Sequence, residues 1–280
     1  MEIVGETITE LYVNILKALK NFGHIRDSRA GKTLELINVS TVLKNPRTRH
    51  IIEPIRKHNL AYIAKEIDWY LSGSYYAEPI ARAAKFWRTI QNPNGKVNSN
   101  YGAKLFYETI YGECQFDKVV SHLKKFPNSR RAIFFFHLYP MDWLQMDDTK
   151  DYVCTIYGHA IINDGKLDLL IYMRSNDVIW GWSNDVPFFT LLQEMLAAEL
   201  DVPVGIYYHN AGSLHIYENF FYKLQGADFN NFNPELETPF PPLTKEDVAA
   251  LRRRDYSVET PFIKAFVKWL NAPLTNTNIG

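Results

Sequence analysis

The chain is poor in sulfur: its 280 residues include two cysteines, Cys114 and Cys154. Two distant thiols make neither a disulfide framework nor a zinc pattern, and a reducing cytoplasm is the expected setting. Excess charge of either sign is missing as well. Lys+Arg total 31 and Asp+Glu total 31, so no global field points to nucleic acid or to an anionic membrane. No apolar run reaches the length of a membrane-spanning helix. The opening "MEIVGETITELYVNILKALK" lacks a basic leader and places acids among its apolar residues, which predicts an amphipathic helix rather than a secretion signal. Phosphate-loop and dinucleotide fingerprints are absent, and so is any metal-ligand spacing. Without repeats or low-complexity linkers, residues 1–280 are expected to form a single catalytic domain.

Apolar and aromatic residues are abundant. Hydrophobic residues make up 46%, with 17 Tyr, 17 Phe and 6 Trp, enough to fill one large core and still stack on a flat ligand. Helical spacing covers residues 8–21, 54–72, 79–91 and 186–200, and one or two helices fit 101–126. "HIRDSRAG" reads as a basic loop and "KTLELINVST" as a strand. "RRAIFFFHLY" is a strand after the "PNS" turn. Residues 152–162 and 166–174 form a hairpin around Asn163-Asp164-Gly165. "VPVGIYYHNAG" is a further strand, and Ser213 looks like a helix cap that would put His215 and Tyr217 at a helix start. "LTKEDVAALRRR" and "PFIKAFVKWLNAP" are helical. Helices before, between and after strands predict a mixed α/β fold.

Read alone, Cys154 is a small buried hydrophobe. Glu66 is harder to dismiss, because a carboxylate inside the apolar helix "AKEIDWYLSG" is costly without a task or a partner. His137 and His159, on apparent strands, read as core. Three further segments, "NSRRA", "MRSND" and "LHIY", place polar groups at element ends.

In order and spacing these pieces resemble the thymidylate synthase superfamily, from about Arg26 to Tyr217. The resemblance is carried by "KEIDWYLSG", "FWRTI", "GKVNSNYG", "PNSRRAI", "VCT", "GKLDLLIYMRSNDVIWGWSND" and "GSLHIY". It is nearest to the deoxycytidylate/cytidylate 5-hydroxymethylase branch. The resemblance implies a twisted mixed β-sheet with helices, an α+β arrangement of the α/β class, forming a homodimer through the sheet face. It also implies a reaction in which the Cys154 thiolate adds to C6 of a pyrimidine monophosphate and makes C5 nucleophilic. The electrophile would be the one-carbon unit of 5,10-methylenetetrahydrofolate. Arg174 would lower the thiol pKa and reach the phosphate. Where the synthases carry Pro-Cys-His, this chain has Val153-Cys154-Thr155, which argues against ordinary thymidylate synthesis.

Other roles follow from the same resemblance. Glu66 would organise water and protons, and Tyr101 would stand near the C5 proton. Arg130 and Arg131 would reach a partner subunit's phosphate, where guanidinium forks suit phosphate oxygens. Ser175 would join them. Of Arg26, Arg29 and Lys32, Arg29 is preferred as the loop contact. Asn176 and Asp177 would flank the nucleotide, and His215 with Tyr217 would hold the sugar 3′-hydroxyl. Glu66, Trp87, Asp177 and Gly181 would line the folate. Asp185 stands where the synthases have asparagine. A carboxylate suits the amino group of cytosine and faces uracil O4 unfavourably; it also suits a helix N-cap. The implied reaction is 5-hydroxymethylation of dCMP or CMP with release of tetrahydrofolate. Methylation or hydroxymethylation of dUMP, and a non-catalytic nucleotide-binding relative, stay open.

Overall fold

The computed structural model describes residues 1–52, 55–136, 149–227, 229 and 237–274. His137 and the end of the strand expected around it lie outside these residues.

Polar caps and apolar stripes set the helices. In α1 (Ile8–Phe22), Thr7 caps the first turn by accepting from the Glu10 amide at 3.3 Å, and Ile8, Leu11, Tyr12, Ile15, Leu16 and Leu19 form one buried stripe. α2 (Leu60–Ser72) starts at Asn59, which accepts from the Tyr62 amide at 3.1 Å, and stops at Gly73, left-handed with φ 65°. The expected start at 54 is six residues early because Asn59 is the cap. Short helices α3 (Glu78–Ala81) and α4 (Phe86–Ile90) follow, then a π-helical turn over Ala103–Tyr107. α5 (Gln115–Lys125) comes next. α6 (Ser183–Leu200) is buried on nearly every face, as suits a helix against the middle of a sheet. α7 (Phe221–Gln225), α8 (Lys245–Arg253) and α9 (Pro261–Leu270) follow among the described residues.

Among the described residues seven strands form one mixed sheet. Along its main path the order is β1 (Glu2–Gly5), β3 (Gly31–Leu43), β9 (Val204–Tyr217), β8 (Lys166–Asp177), β7 (Thr155–Asn163) and β6 (Ile133–Phe135), and β2 (His24–Ser28) pairs with β3. β1 runs parallel to β3 and β8 to β9, while the other pairs are antiparallel. β4 (Thr109–Ile110) and β5 (Glu113–Cys114) make a separate small ribbon. The 7–8 hairpin turns at Asp164 (φ 48°) and Gly165 (φ 74°), the positive pair that a tight primed turn needs.

The helix expected over 79–91 is broken between α3 and α4, the stretch 101–126 holds the small ribbon before α5, and two further expectations change. "HIRDSRAG" is a strand as far as Ser28, because β3 offers it a full antiparallel edge; only Arg29 and Ala30 turn. Ser213 caps no helix. β9 runs on to Tyr217, since its residues pair on both sides with β3 and β8. His215 and Tyr217 therefore leave from a strand end.

One sheet face is dry. Leu167, Leu169, Ile171 and Met173 of β8 and Tyr207, His209 and Ala211 of β9 are buried under the helices, α6 among them. The same sheet ends bring β7, β8 and β9 together at Cys154, Asp177 and His215.

Candidate active site

The nucleophile candidate precedes β7. Cys154 continues the hairpin ladder, its carbonyl accepting from the Arg174 amide at 2.9 Å. The Arg174 side chain turns back onto the same segment, donating from Nε to Val153 O at 3.2 Å and from Nη2 to Tyr152 O at 2.9 Å. One arginine thus grips three consecutive residues around the thiol. Its charge draws the thiol pKa down, but burial outweighs it, and Asp185 and Asp151 push the same way as burial, to about 11. The expected lowered pKa is not what the structure holds. Desolvation wins, and the resting sulfur is a thiol.

Glu66 sits on α2, buried at 5% exposure. Tyr62, one turn earlier on the same face, donates to Oε1 at 2.6 Å, and Trp87 Nε1 donates to the Tyr62 hydroxyl at 3.0 Å. Trp87, expected along a folate, acts here as the back support of the carboxyl. Burial raises the Glu66 pKa to about 8; the Tyr62 bond and Arg56 oppose, and the Asp185 charge adds.

Tyr101 is held between rings, 5.3 Å from Tyr70, 5.5 Å from Phe189 and 5.2 Å from Phe136. Burial, then the charges of Asp185 and Cys154, raise its pKa well above the usual range. The loop before it is tied to the nucleophile segment through Asp151. That carboxylate accepts from the Asn98 amide (2.6 Å), the Ser99 amide (2.8 Å) and the Ser99 hydroxyl (2.6 Å). Asn100 donates to Trp69 O at 3.0 Å and Ser74 O at 2.8 Å. Gly102 passes so close to α2 that a Cβ would lie 1.9 Å from Tyr70 O. The "NSNYG" motif is a docking device for Tyr101.

Asp185 lies in the first turn of α6, and its side chain is not the cap. Oδ2 accepts from Asn176 Nδ2 at 2.8 Å. Burial raises its pKa to about 7, against the Asn176 bond and with the Asp177 charge. Behind it, Asn176 Oδ1 is 3.0 Å from His209 Nε2, and His209 Nδ1 is 2.8 Å from the Tyr207 hydroxyl. Burial lowers the His209 pKa to about 3, so this ring is neutral. Gly181 faces the pair: a Cβ there would meet Asn176 Nδ2 at 2.8 Å. Asp177 turns to the backbone and accepts from the Ile179 (3.3 Å) and Trp180 (2.7 Å) amides.

His215 is opposite Asp177 in the ladder, its Nδ1 3.2 Å from the Ser213 hydroxyl. Burial lowers its pKa, and Asp177 and Glu35 oppose. Tyr217 feels Asp177 and Cys154 on one side and Arg29 and Arg174 on the other. Arg29 stacks over Tyr152, 5.0 Å from the ring centre, whereas Arg26 pairs with Glu35 at 3.0 Å. Arg29 thus stands over the nucleophile segment, while Arg26 is engaged elsewhere. Ser175 lies between Arg174 and Asn176, opposite Ser213.

Arg130 and Arg131 are not part of this assembly within one chain. Both are exposed just before β6. Extending the β6–β7 register sets Arg131 opposite position 161, which is roughly 20 Å from Cys154 at ~3.3 Å per residue.

Tyr62, Asp151, Tyr207 and His209 were not singled out in the sequence. Tyr62 carried a signal, the i−4 spacing to Glu66. Tyr207 and His209 occupy inward positions of an alternating strand, where such residues read as core, and Asp151 carried no local signal. Among the described residues no group of His, Cys, Asp and Glu could hold a metal ion, and no helix is long and apolar enough to cross a membrane.

Comparison with known proteins adds an independent finding. A profile described as thymidylate synthase matches residues 10–257. The deoxycytidylate 5-hydroxymethyltransferase of Enterobacteria phage T4 is 30% identical over 225 residues, covering 77% of this chain and 88% of that protein. The deoxyuridylate hydroxymethyltransferase of Bacillus phage SP01 is 30% identical over 223 residues, covering 76% of this chain and 58% of that protein. The thymidylate synthase of Vesicomyosocius okutanii is 25% identical over 225 residues, covering 76% and 81%.

Proposed function

The chain belongs to the thymidylate synthase family, and from that premise we propose that it is a cytidylate 5-hydroxymethyltransferase acting as a homodimer. It is an enzyme of the folate-dependent pyrimidine-nucleotide methyl- or hydroxymethyltransferase kind, with methylenetetrahydrofolate as co-substrate. The observation that supports the cytosine assignment is Asp185, a buried carboxyl that accepts from Asn176 at 2.8 Å and interacts electrostatically with Cys154, Glu66 and Tyr101; ionised, or protonated on the oxygen that meets the ring nitrogen, it accepts from the 4-amino group of cytosine.

Cys154 loses its proton and its sulfur adds to C6 of the base, which makes C5 a carbon nucleophile. With a pKa of about 11, thiolate is scarce at neutral pH, on the order of one in a thousand or fewer. Proton removal is thus coupled to addition, and a proton shared between Asp185 and the ring nitrogen favours it by neutralising the charge that addition creates. Arg174 orients the nucleophile segment, and Arg29 brings a second cation for the phosphate. Methylenetetrahydrofolate supplies the one-carbon unit and leaves as tetrahydrofolate. Glu66, with a pKa of about 8, suits proton transfer near neutrality: it moves the C5 proton and then holds the water that completes the hydroxymethyl group. Tyr101 stands over the same edge. Thiolate departure restores the ring. The residues present fit the co-substrate, with a buried acid backed by Tyr62 and Trp87 and the small Gly181 beside Asp185. His215 and Tyr217 bind the sugar, and Ser175 assists at the phosphate.

We place dCMP ahead of CMP because the T4 relative's name specifies deoxycytidylate. A uridylate substrate is the second reading, favoured by relatives named for deoxyuridylate. Incubation with methylenetetrahydrofolate and each of CMP, dCMP, UMP and dUMP decides, with mass spectrometry scoring CH₂OH against CH₃. Hydroxymethylated dCMP or CMP is expected. Turnover of dUMP with no conversion of either cytidine nucleotide defeats the proposal.

A further inference from the structure

A carboxyl that carries a proton does not by itself tell cytosine from uracil. Cytosine presents an acceptor at position 3 and a donor at position 4, and uracil presents the reverse. A neutral Asp185 pairs twice with either base. Which base it prefers depends on which of its two oxygens holds the proton.

We propose that the buried line Tyr207–His209–Asn176 fixes that choice, so that Tyr207 and His209 are positioning residues for base specificity. The inference rests on the reading that Asp185 recognises the base. Tyr207 and His209 are 0% exposed and Asn176 is 3% exposed. The Tyr207 hydroxyl has one hydrogen-bond partner among the described residues, His209 Nδ1 at 2.8 Å. A buried hydroxyl donates its proton where it can, so Nδ1 accepts. A neutral imidazole has one N–H, which must then be on Nε2, and Nε2 donates to Asn176 Oδ1 at 3.0 Å. With its oxygen taken, Asn176 presents its amide nitrogen to Asp185 Oδ2 at 2.8 Å. An oxygen that already accepts is the poorer place for the acid proton, so the proton goes to Oδ1; cytosine is then preferred with Oδ1 at ring position 3, the pose that the reading of Asp185 requires. The reverse polarity would require Nδ1–H, an unpaired Tyr207 proton and a flipped Asn176 amide. A single hydroxyl two residues behind the histidine thus sets the polarity of the reader at the other end.

The test removes that hydroxyl alone. Tyr207→Phe keeps the ring, and His209→Gln keeps a side-chain N–H that can reach Asn176. His209→Phe removes every donor. Specificity is read as the ratio of kcat/KM for dCMP to that for dUMP, with Asp185→Asn run in parallel and thermal unfolding followed for all. The expected result is a ratio that falls about tenfold toward unity in Tyr207→Phe and His209→Phe, the size of one misdirected buried hydrogen bond. His209→Gln should recover most of it. A merely structural role would lower both kcat/KM values together and leave the ratio alone. In the wild-type protein, ¹⁵N chemical shifts of His209 should report the neutral Nε2–H form. The Nδ1–H form, or an unchanged ratio in both Tyr207→Phe and His209→Phe while Asp185→Asn changes it, overturns the inference. If Asp185→Asn itself leaves the ratio unchanged, the reading of Asp185 fails with it.

Discussion

Glu66 carries opposite demands at the residue scale. Its pKa is near 8 in the folded chain against an ordinary value of 4.5. Between those values the folded state keeps a proton that the unfolded state has released. Stability therefore falls as pH rises through that window, by up to ~1.4 kcal/mol per pH unit. Glu66→Gln has no proton to lose and can still accept from Tyr62. We expect it to unfold several degrees higher than wild type at pH 8, with the gap closing toward pH 5, and to lose turnover almost entirely. Thermal unfolding at the two pH values checks the first part; a wild type that unfolds at the same temperature at both refutes it. Cys154 gives a second residue-scale prediction. Asp185 pushes its pKa up, so Asp185→Asn should lower the pH at which iodoacetamide begins to alkylate Cys154. The alkylation profile, read by peptide mass spectrometry, should move to lower pH; no movement refutes the coupling. These values also show where sequence reading stops. Cys154, Glu66, Tyr101 and Asp185 are candidates because the motif order names them, and in the structure Asp185 interacts electrostatically with each of the other three. The protonation state of the sulfur was not legible, since Arg174 beside it argues for a thiolate and burial, joined by Asp185 and Asp151, reverses the sign.

Elements with their own caps and periodicity were legible. α1 has Thr7 and its stripe, the 7–8 hairpin has Asp164-Gly165, and α8 has the Thr244–Asp247 capping box. Elements decided by a neighbour were not. Nothing in "HIRDSRAG" announces a strand until β3 provides an edge, and "GSLHIY" carries a helix-start signature that two flanking strands override. The loop 96–100 belongs to the second kind. It has no periodicity, and its position comes from Asp151, which follows residues outside the described part of the chain. Asp151→Ala would leave the buried Ser99 amide and hydroxyl and the half-buried Asn98 amide without their acceptor. We expect a loss of about 2–3 kcal/mol of stability and a fall in kcat larger than the rise in nucleotide KM. The mechanism is that Tyr101 loses its anchor while Arg29 and Arg174 keep theirs. Steady-state kinetics on dCMP decide: an unchanged kcat with a raised KM would place Asp151 at the nucleotide instead.

At the scale of the molecule, the two faces of the sheet differ in kind. The inner face is dry under the helices. The outer face shows Ile133 at 37%, Phe135 at 45% and Ile37 at 55% exposure, with the Tyr157 and Tyr172 rings stacked at 4.3 Å between them. Apolar side chains concentrated on one sheet face are the usual mark of an interface. With no net charge on the chain, such a face meets no global repulsion from a second copy. A two-fold pairing through it would also account for Arg130 and Arg131. Along their own sheet they stand roughly 20 Å from Cys154, too far to serve it, yet they border the face that a partner would cover. Complementation follows from this geometry. Cys154→Ala supplies intact arginines, and the double variant Arg130→Ala/Arg131→Ala supplies an intact thiol. Each should be nearly inactive alone. After the chains are mixed and allowed to exchange, half the dimers are mixed, each with one complete site, so about a quarter of wild-type activity should return. Recovery that grows with exchange time and is absent when the chains are kept apart fits arginines donated across the interface. No recovery, with mixed dimers present by native mass spectrometry, would place both arginines outside the catalytic assembly.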